Sequence, residues 1–191
     1  MRQKPDDIFT PQGRLADVAE NPNLDFLMNV FNIPRVFGVS GFGGNWTVGK
    51  HSFATALIAL FWARFNTFAP AKRDALVTAA LTHDLHEAVT GDILPMFKSP
   101  EITKHLDRIQ KNIINSLGIT LDPTLTTDLK IVDLTAFLYE VKQVSPSLLQ
   151  PKKIKLAQTI FDKQKTILLA FCTKQGIAKR HITRFLATLD L

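Results

Sequence analysis

Residues 81–98 read LTHDLHEAVTGDILPMFK, and this stretch places a histidine next to an aspartate inside an otherwise apolar run. A polar side chain that is removed from water destabilises the fold unless it finds a partner. His83 and Asp84 therefore need either hydrogen-bonding partners in the core or a bound metal ion. The residue types alone leave both explanations open.

Two further side chains suit a metal ion. His51 begins a long apolar segment, and Asp133 lies within LKIVDLTAFLYEV, where a lone carboxylate is costly. Two imidazoles and two carboxylates form a ligand set for Mn, Fe, Co, Ni, Zn or Mg. Four protein ligands also leave coordination positions for water and substrate. Because chance can place residues at such separations, a metal site and separate core hydrogen bonds remain equally open on chemistry alone.

The order of these residues resembles a known superfamily. The segments KHSFATALIAL, LTHDLHEAVTGDI and IVDLTAFL follow the H…HD…D order of the HD-domain phosphohydrolases. The longer agreement, HD-x-x-E-x-x-x-GD followed by a lysine, is similar to the YfbR-type 5′-deoxynucleotidases and to the related small phage HD triphosphohydrolases that degrade dATP. The resemblance runs from about residue 35 to residue 144. It implies hydrolysis of 2′-deoxynucleotides at the 5′ phosphate, with either monophosphates or triphosphates as substrates.

The resemblance also implies a role for each residue of the motif. Glu87 is implied as the acid or base that handles the attacking water, and a helix through 83–87 would place it one turn from His83. A surface helix carboxylate is the alternative for Glu87. The implied cofactor is a divalent metal ion, Co, Mn, Zn, Mg or Fe, and some members hold a second ion or a phosphate nearby. The implied metal ligands are His51, His83, Asp84 and Asp133.

Four other residues are candidates for contacts with the substrate. The resemblance implies that Arg35 clamps phosphate through its planar fork of donors and that Lys98 holds phosphate as a point charge. It implies that Asp92 contacts the sugar 3′-hydroxyl and disfavours a 2′-hydroxyl, although an aspartate in TGDI also suits a turn. The related enzymes follow the arginine with tryptophan, whereas this chain reads PRVFG. Trp46 could supply that aromatic surface for a base, or it could pack in the core.

The elements that must position these residues are predicted to be helices. Strand patterns are nearly absent, and apolar residues recur at helical spacing. Proline stands at or near several helix starts, where its missing N–H is harmless. No repeat or linker divides the chain, so we expect one all-α HD-type domain over residues 1–191. The predicted helices span residues 11–20, 23–31, 51–65, 71–85, 100–117, 124–144, 152–174 and 178–189.

Composition limits the remaining possibilities. No apolar run reaches the length of a membrane span, and a single cysteine, Cys172, excludes an internal disulfide. We therefore expect a cytoplasmic protein with no membrane partner.

The net charge of +6 favours an anionic partner. A basic nucleic-acid-binding module would explain this charge but not the H…HD…D residues, and an HD phosphodiesterase acting on another phosphoester is a further alternative. By analogy with the related enzymes, we expect a homo-oligomer.

Overall fold

The structure, a computed structural model, describes residues 22–35, 46–94, 97–143 and 151–191. Within these ranges the regular elements are helical, apart from an isolated β-bridge between Pro34 and Thr47, so the predicted all-α fold class is confirmed. Short 3-10 helices span Met28–Phe31 and Pro123–Leu125. The α-helices of the described residues are α1 (Leu24–Leu27), α2 (Val48–Phe65), α3 (Pro70–Thr82), α4 (Glu87–Thr90), α5 (Pro100–Ser116), α6 (Thr126–Lys142), α7 (Pro151–Lys174) and α8 (Lys179–Ala187).

Most predicted helices occur with shifts of a few residues at their ends. The predicted helix over 23–31 is α1 followed by a 3-10 helix, and the one predicted over 11–20 lies outside the described residues. The helix predicted over residues 71–85 is wrong at its C-terminal end. Helix α3 ends at Thr82, turns follow, and Glu87 begins the separate helix α4, so His83 and Glu87 do not lie on one continuous helix.

The side chain of Gln110 explains where α3 ends. In a continuous helix the His86 N–H would donate to the Thr82 carbonyl four residues earlier. Instead, Gln110 Nε2 donates to the Thr82 carbonyl at 2.6 Å, and the His86 N–H donates to Gln110 Oε1 at 3.0 Å. The amide of Gln110, which comes from α5, thus replaces one helical hydrogen bond. A side chain inserted in this way breaks the helical ladder.

Helix α2 packs against α3 and α6. Its buried positions are mostly small, which lets neighbouring helices approach closely. The Trp62 indole N–H of α2 donates to Asp128 Oδ1 of α6 at 2.8 Å. The main core combines side chains from α2, α3, α6, α7 and α8. The side chains of His51 and Asp133 are therefore carried by two helices that are fixed against each other.

The segment before α2 is held beside the start of that helix. The Arg35 N–H donates to the Trp46 carbonyl at 3.1 Å, and the Val48 N–H donates to the Ile33 carbonyl at 3.0 Å. A methyl group built on Gly49 would lie 2.7 Å from the Phe31 ring, so glycine is needed for this approach. Arg35 is thereby brought to the end of α2 that carries His51. None of the described helices has the length and apolar character needed to cross a membrane.

Replacement of Gln110 by leucine tests the origin of the break after Thr82. We expect Gln110→Leu to lower the free energy of unfolding by about 1–3 kcal/mol, because it removes the acceptor of the buried His86 N–H and the shorter of the two hydrogen bonds to the Thr82 carbonyl. Urea unfolding followed by circular dichroism measures this loss. The control is Gln158→Leu at an exposed position of α7. Equal stability of the two variants would contradict the role given to Gln110.

Candidate active site

Three elements bring the four predicted ligand residues together. His51 comes from the second turn of α2, His83 and Asp84 from the turn after α3, and Asp133 from the middle of α6. Asp133 Oδ1 lies 3.1 Å from His51 Nε2 and 3.8 Å from His83 Nε2. Asp84 Oδ2 lies 3.2 Å from His83 Nε2 and 3.8 Å from His51 Nε2. Single ligand atoms of His51, His83 and Asp133 all lie within 4.8 Å of one another.

Both imidazoles direct the same nitrogen, Nε2, towards this point. His83 Nδ1 lies 2.7 Å from the Ala80 carbonyl, which can only accept, so Nδ1 carries the proton when the ring is neutral. His83 Nε2 is buried, and its nearest acidic atoms are Asp84 Oδ2 at 3.2 Å and Asp133 Oδ1 at 3.8 Å. A neutral imidazole that carries its proton on Nδ1 offers the Nε2 lone pair to a metal. The residues present therefore fit a divalent cation.

The charges of the site compensate one another. Burial lowers the pKa of His83, but Asp84 and Asp133 outweigh it and raise this pKa well above its usual value. Burial alone would raise the pKa of Asp84 and of Asp133, yet His83 and His51 hold both below the usual range. Without metal, protonated imidazoles thus neutralise the carboxylates, and a divalent cation can take over that role.

Glu140 belongs to this site and is missing from the sequence prediction. Its side chain is fully buried and hydrogen-bonds His51 Nδ1. It also contacts Arg35 Nε at 3.3 Å. Glu140 follows Asp133 by two turns of α6, which places both carboxylates on one face of the helix. That spacing, within an apolar segment, is the signal that could have identified it.

Arg35, the predicted phosphate contact, lies against the cluster. Its guanidinium contacts Glu140, and its Nη1 lies 3.5 Å from Asp84 Oδ2. Burial lowers the pKa of Arg35, but Glu140, Asp84, Asp92 and Glu87 together raise it. A guanidinium has five N–H donors, so these contacts leave it donors for a phosphate group. Arg35 is thus held at the side of the cluster by carboxylates.

Glu87 is buried beside the ligand residues although it starts its own helix. Its side chain is 3% exposed, and Oε2 has no hydrogen-bond partner among the described residues. Burial, together with the carboxylates of Asp84 and Asp92, raises the pKa of Glu87 to about 8, although Arg35 and Lys98 act to lower it. A carboxyl group with a pKa near neutrality can take up or release a proton at working pH. The alternative of a surface helix carboxylate is wrong.

The remaining predicted contacts divide into two groups. The charges of Asp92 and Lys98 both influence the pKa of Glu87, so both side chains lie within electrostatic reach of that carboxyl group. The ring of Trp46 stands edge-on to Tyr139, with centroids 6.1 Å apart, and packs against a small cluster that includes Val141. The Trp46 carbonyl accepts a hydrogen bond from the Arg35 N–H, while the half-buried Trp46 ring packs against Tyr139.

Comparison with known proteins identifies relatives of this arrangement. A family model described as YfbR-like 5′-deoxynucleotidase matches residues 32–144, more than half of the chain. Among solved structures, the cyanophage S-2L HD phosphohydrolase DatZ, bound to dA and one catalytic Zn²⁺ ion, is similar to this chain with a TM-score of 0.66 and 18% identity. The similarity covers 90% of this chain and 98% of that one, so the two proteins share a fold. No curated protein matches.

The raised pKa of Glu87 predicts that the stability of the folded protein falls as pH rises. The folded state keeps the proton up to about pH 8, whereas the unfolded chain releases it near pH 4.5, the usual pKa of a glutamate side chain. Stability is therefore lost as pH rises between these values. In chelator-treated protein, we expect Glu87→Gln to raise Tm over the wild type by about 5 °C at pH 8, and by almost nothing at pH 4.5.

Differential scanning fluorimetry across this pH range measures the difference in Tm. Glu101→Gln, at an exposed position in the first turn of α5, is the control and should give no pH-dependent difference. A constant gap between Glu87→Gln and the wild type from pH 4.5 to 8 would refute the raised pKa.

Proposed function

This chain belongs to the YfbR-like family of 5′-deoxynucleotidases and is a metal-dependent hydrolase of 2′-deoxynucleotides; on that premise we propose that one divalent metal ion is bound by His51, His83, Asp84 and Asp133. The observation that carries this assignment is the convergence of one ligand atom each from His51, His83 and Asp133 within 4.8 Å. The contact of His83 Nδ1 with the Ala80 carbonyl, which leaves Nε2 facing the carboxylates, also supports it. DatZ, which shares the fold, binds Zn²⁺, and Zn²⁺ is therefore the first ion to test.

The side chains around the ligands have distinct tasks in hydrolysis. When bound, a divalent ion supplies Lewis-acid polarisation of phosphate oxygen and a nucleophilic water at neutral pH. Glu87 orients the attacking water and exchanges its proton, because its carboxyl group is buried beside the proposed ligands and has an oxygen without a hydrogen-bond partner among the described residues. Arg35 and Lys98 stabilise negative charge on the phosphate. The bond broken joins the phosphorus to the 5′ oxygen of the sugar, in monophosphates and triphosphates alike.

Asp92 is the candidate for selection of the sugar. Its charge influences the pKa values of Arg35 and Glu87, which supports a position near the proposed phosphate contact. A carboxylate that accepts a hydrogen bond from the sugar and is crowded by a 2′-hydroxyl would discriminate strongly, because a mismatched polar group stays unpaired. We assign the exposed part of the half-buried Trp46 ring to the base, since the backbone hydrogen bond between Trp46 and Arg35 keeps this residue near the proposed phosphate contact. DatZ binds dA, so deoxyadenosine nucleotides are the first substrates to test.

We also propose that residues 1–191 form one domain that acts as a homo-oligomer in the cytoplasm. One main core that combines five helices supports the single domain. A buried free thiol at Cys172 suits a reducing compartment. Exposed apolar side chains on one face of α2 support self-association, since such patches mark interfaces. These side chains, some of which line a groove of about 310 Å³, are Phe53, Leu57, Leu60 and Phe61.

Loss of Glu87 tests the proton-handling role. We expect Glu87→Gln to retain bound Zn²⁺ but to lose roughly 10²–10⁴-fold in kcat, which is the usual contribution of a positioned proton-transfer group. Elemental analysis gives the metal content, and product release from a deoxynucleotide gives the rate. Glu101→Gln should keep wild-type turnover. Turnover within a factor of two of the wild type would remove Glu87 from the mechanism.

The substrate prediction compares sugars and phosphate chains. With Zn²⁺, Co²⁺, Mn²⁺ or Mg²⁺ present, we expect release of deoxyadenosine from dAMP or dATP, well ahead of adenosine from AMP or ATP. Chromatography identifies phosphate or intact triphosphate as the second product. Asp92→Ala should narrow the preference for deoxyribose, whereas Asp107→Ala, at an exposed position of α5, should not. Equal rates on dATP and ATP, or hydrolysis of neither dAMP nor dATP, would overturn this substrate assignment.

A further inference from the structure

Glu140 is a fully buried carboxylate that joins two parts of the site. It hydrogen-bonds His51 Nδ1 on one side and contacts Arg35 Nε on the other. A buried carboxylate without a partner of opposite charge strongly destabilises the fold. Glu140 is paired with the imidazole that we assign to the metal and with the guanidinium that we assign to phosphate.

The face of α6 that carries Glu140 holds the His51 ring through both of its nitrogens. Asp133 Oδ1 lies 3.1 Å from Nε2, and Glu140, two turns later, bonds Nδ1. A carboxylate on Nδ1 keeps the proton of a neutral imidazole on that nitrogen and leaves the Nε2 lone pair for a metal. It also fixes the plane of the ring and increases the electron donation of the ligand. The equivalent contact of His83 is made by a backbone carbonyl, at Ala80.

The second contact of Glu140 fixes Arg35. The backbone of Arg35 is held by the Trp46 carbonyl, but its long side chain has many rotamers, and ordering it costs entropy. The contacts of Nε with Glu140 and of Nη1 with Asp84 select one orientation before substrate arrives. A donor that is already oriented binds phosphate with less loss of freedom.

We propose that Glu140 is a positioning residue that couples metal binding to phosphate binding: it orients His51 for the metal and Arg35 for the 5′ phosphate. This inference rests on the proposed assignment of His51 as a metal ligand and of Arg35 as a phosphate contact. Glu140 contacts neither metal nor substrate. Two measurements test this role: the affinity of the protein for the metal ion and the KM for the nucleotide.

The first measurement is Zn²⁺ affinity without substrate, by competition with a chromophoric chelator. We expect Glu140→Ala to weaken Zn²⁺ binding by about 10–100-fold, the usual effect of removing a partner of a ligating histidine. Glu140→Gln keeps an amide oxygen that can accept from His51 Nδ1–H, so this variant should lose less Zn²⁺ affinity than Glu140→Ala. Glu101→Gln should bind Zn²⁺ as the wild type does. If Glu140→Ala does not fold, Glu140→Gln decides the outcome alone.

The second measurement is the kinetics of the Glu140 variants at saturating Zn²⁺ with dAMP or dATP. We expect Glu140→Gln to raise KM by more than it lowers kcat, because the ion pair that orients Arg35 is weakened. In an Arg35→Ala background, Glu140→Gln should no longer change KM but should still weaken Zn²⁺ binding. A purely structural ion pair would lower Tm and leave Zn²⁺ affinity and KM unchanged.

These outcomes separate the inference from the proposed function. Wild-type Zn²⁺ affinity in both Glu140 variants would overturn the His51 part of the inference. An unchanged KM beside weakened Zn²⁺ binding would overturn the Arg35 part. His51→Ala tests the premise: if it binds Zn²⁺ as tightly as the wild type, the ligand assignment itself fails.

Discussion

Ionisable side chains share a small volume in this protein, and their charges must cancel. The carboxylates of Asp84, Asp133 and Glu140 face the imidazoles of His51 and His83 and the guanidinium of Arg35, and all six groups are buried or partly buried. Low exposure strengthens both attraction and repulsion between them. Without metal, two protonated imidazoles and the guanidinium balance the three carboxylates, and a divalent cation can replace the charge of the two imidazoles. The site is thus a set of charges that the fold holds together, and cation binding follows from that constraint.

The fold provides the constraint through few but specific contacts. Small buried residues on α2 bring α3 and α6 close, and the Trp62–Asp128 hydrogen bond fixes α2 against α6. Gln110 replaces a helical hydrogen bond after Thr82. This break lets the turn carry His83 and Asp84 at the end of one helix and Glu87 at the start of another. The proposed ligand residues and the proposed proton-handling carboxyl group are therefore positioned by separate elements.

The sequence predicts much of this site because the proposed ligand residues are polar groups in apolar surroundings. His51, His83, Asp84 and Asp133 stand out for that reason, and their order matches a known superfamily. The break after Thr82 could not be predicted, since it depends on the side chain of Gln110 on another helix and no local signal marks it. Glu140 was missed although its two-turn spacing from Asp133 was visible. Its importance comes from contacts with residues 89 and 105 positions away.

The central claim is that both imidazoles and both aspartates bind one cation, and crystals grown with Zn²⁺ test it most directly. An anomalous difference map collected at the zinc edge should show a peak at about 2.0–2.2 Å from the Nε2 atoms of His51 and His83 and from carboxylate oxygens of Asp84 and Asp133. Glu140 should remain on His51 Nδ1 and outside the coordination sphere. A map with no peak at this position, or with zinc bound only elsewhere on the protein, would contradict the account.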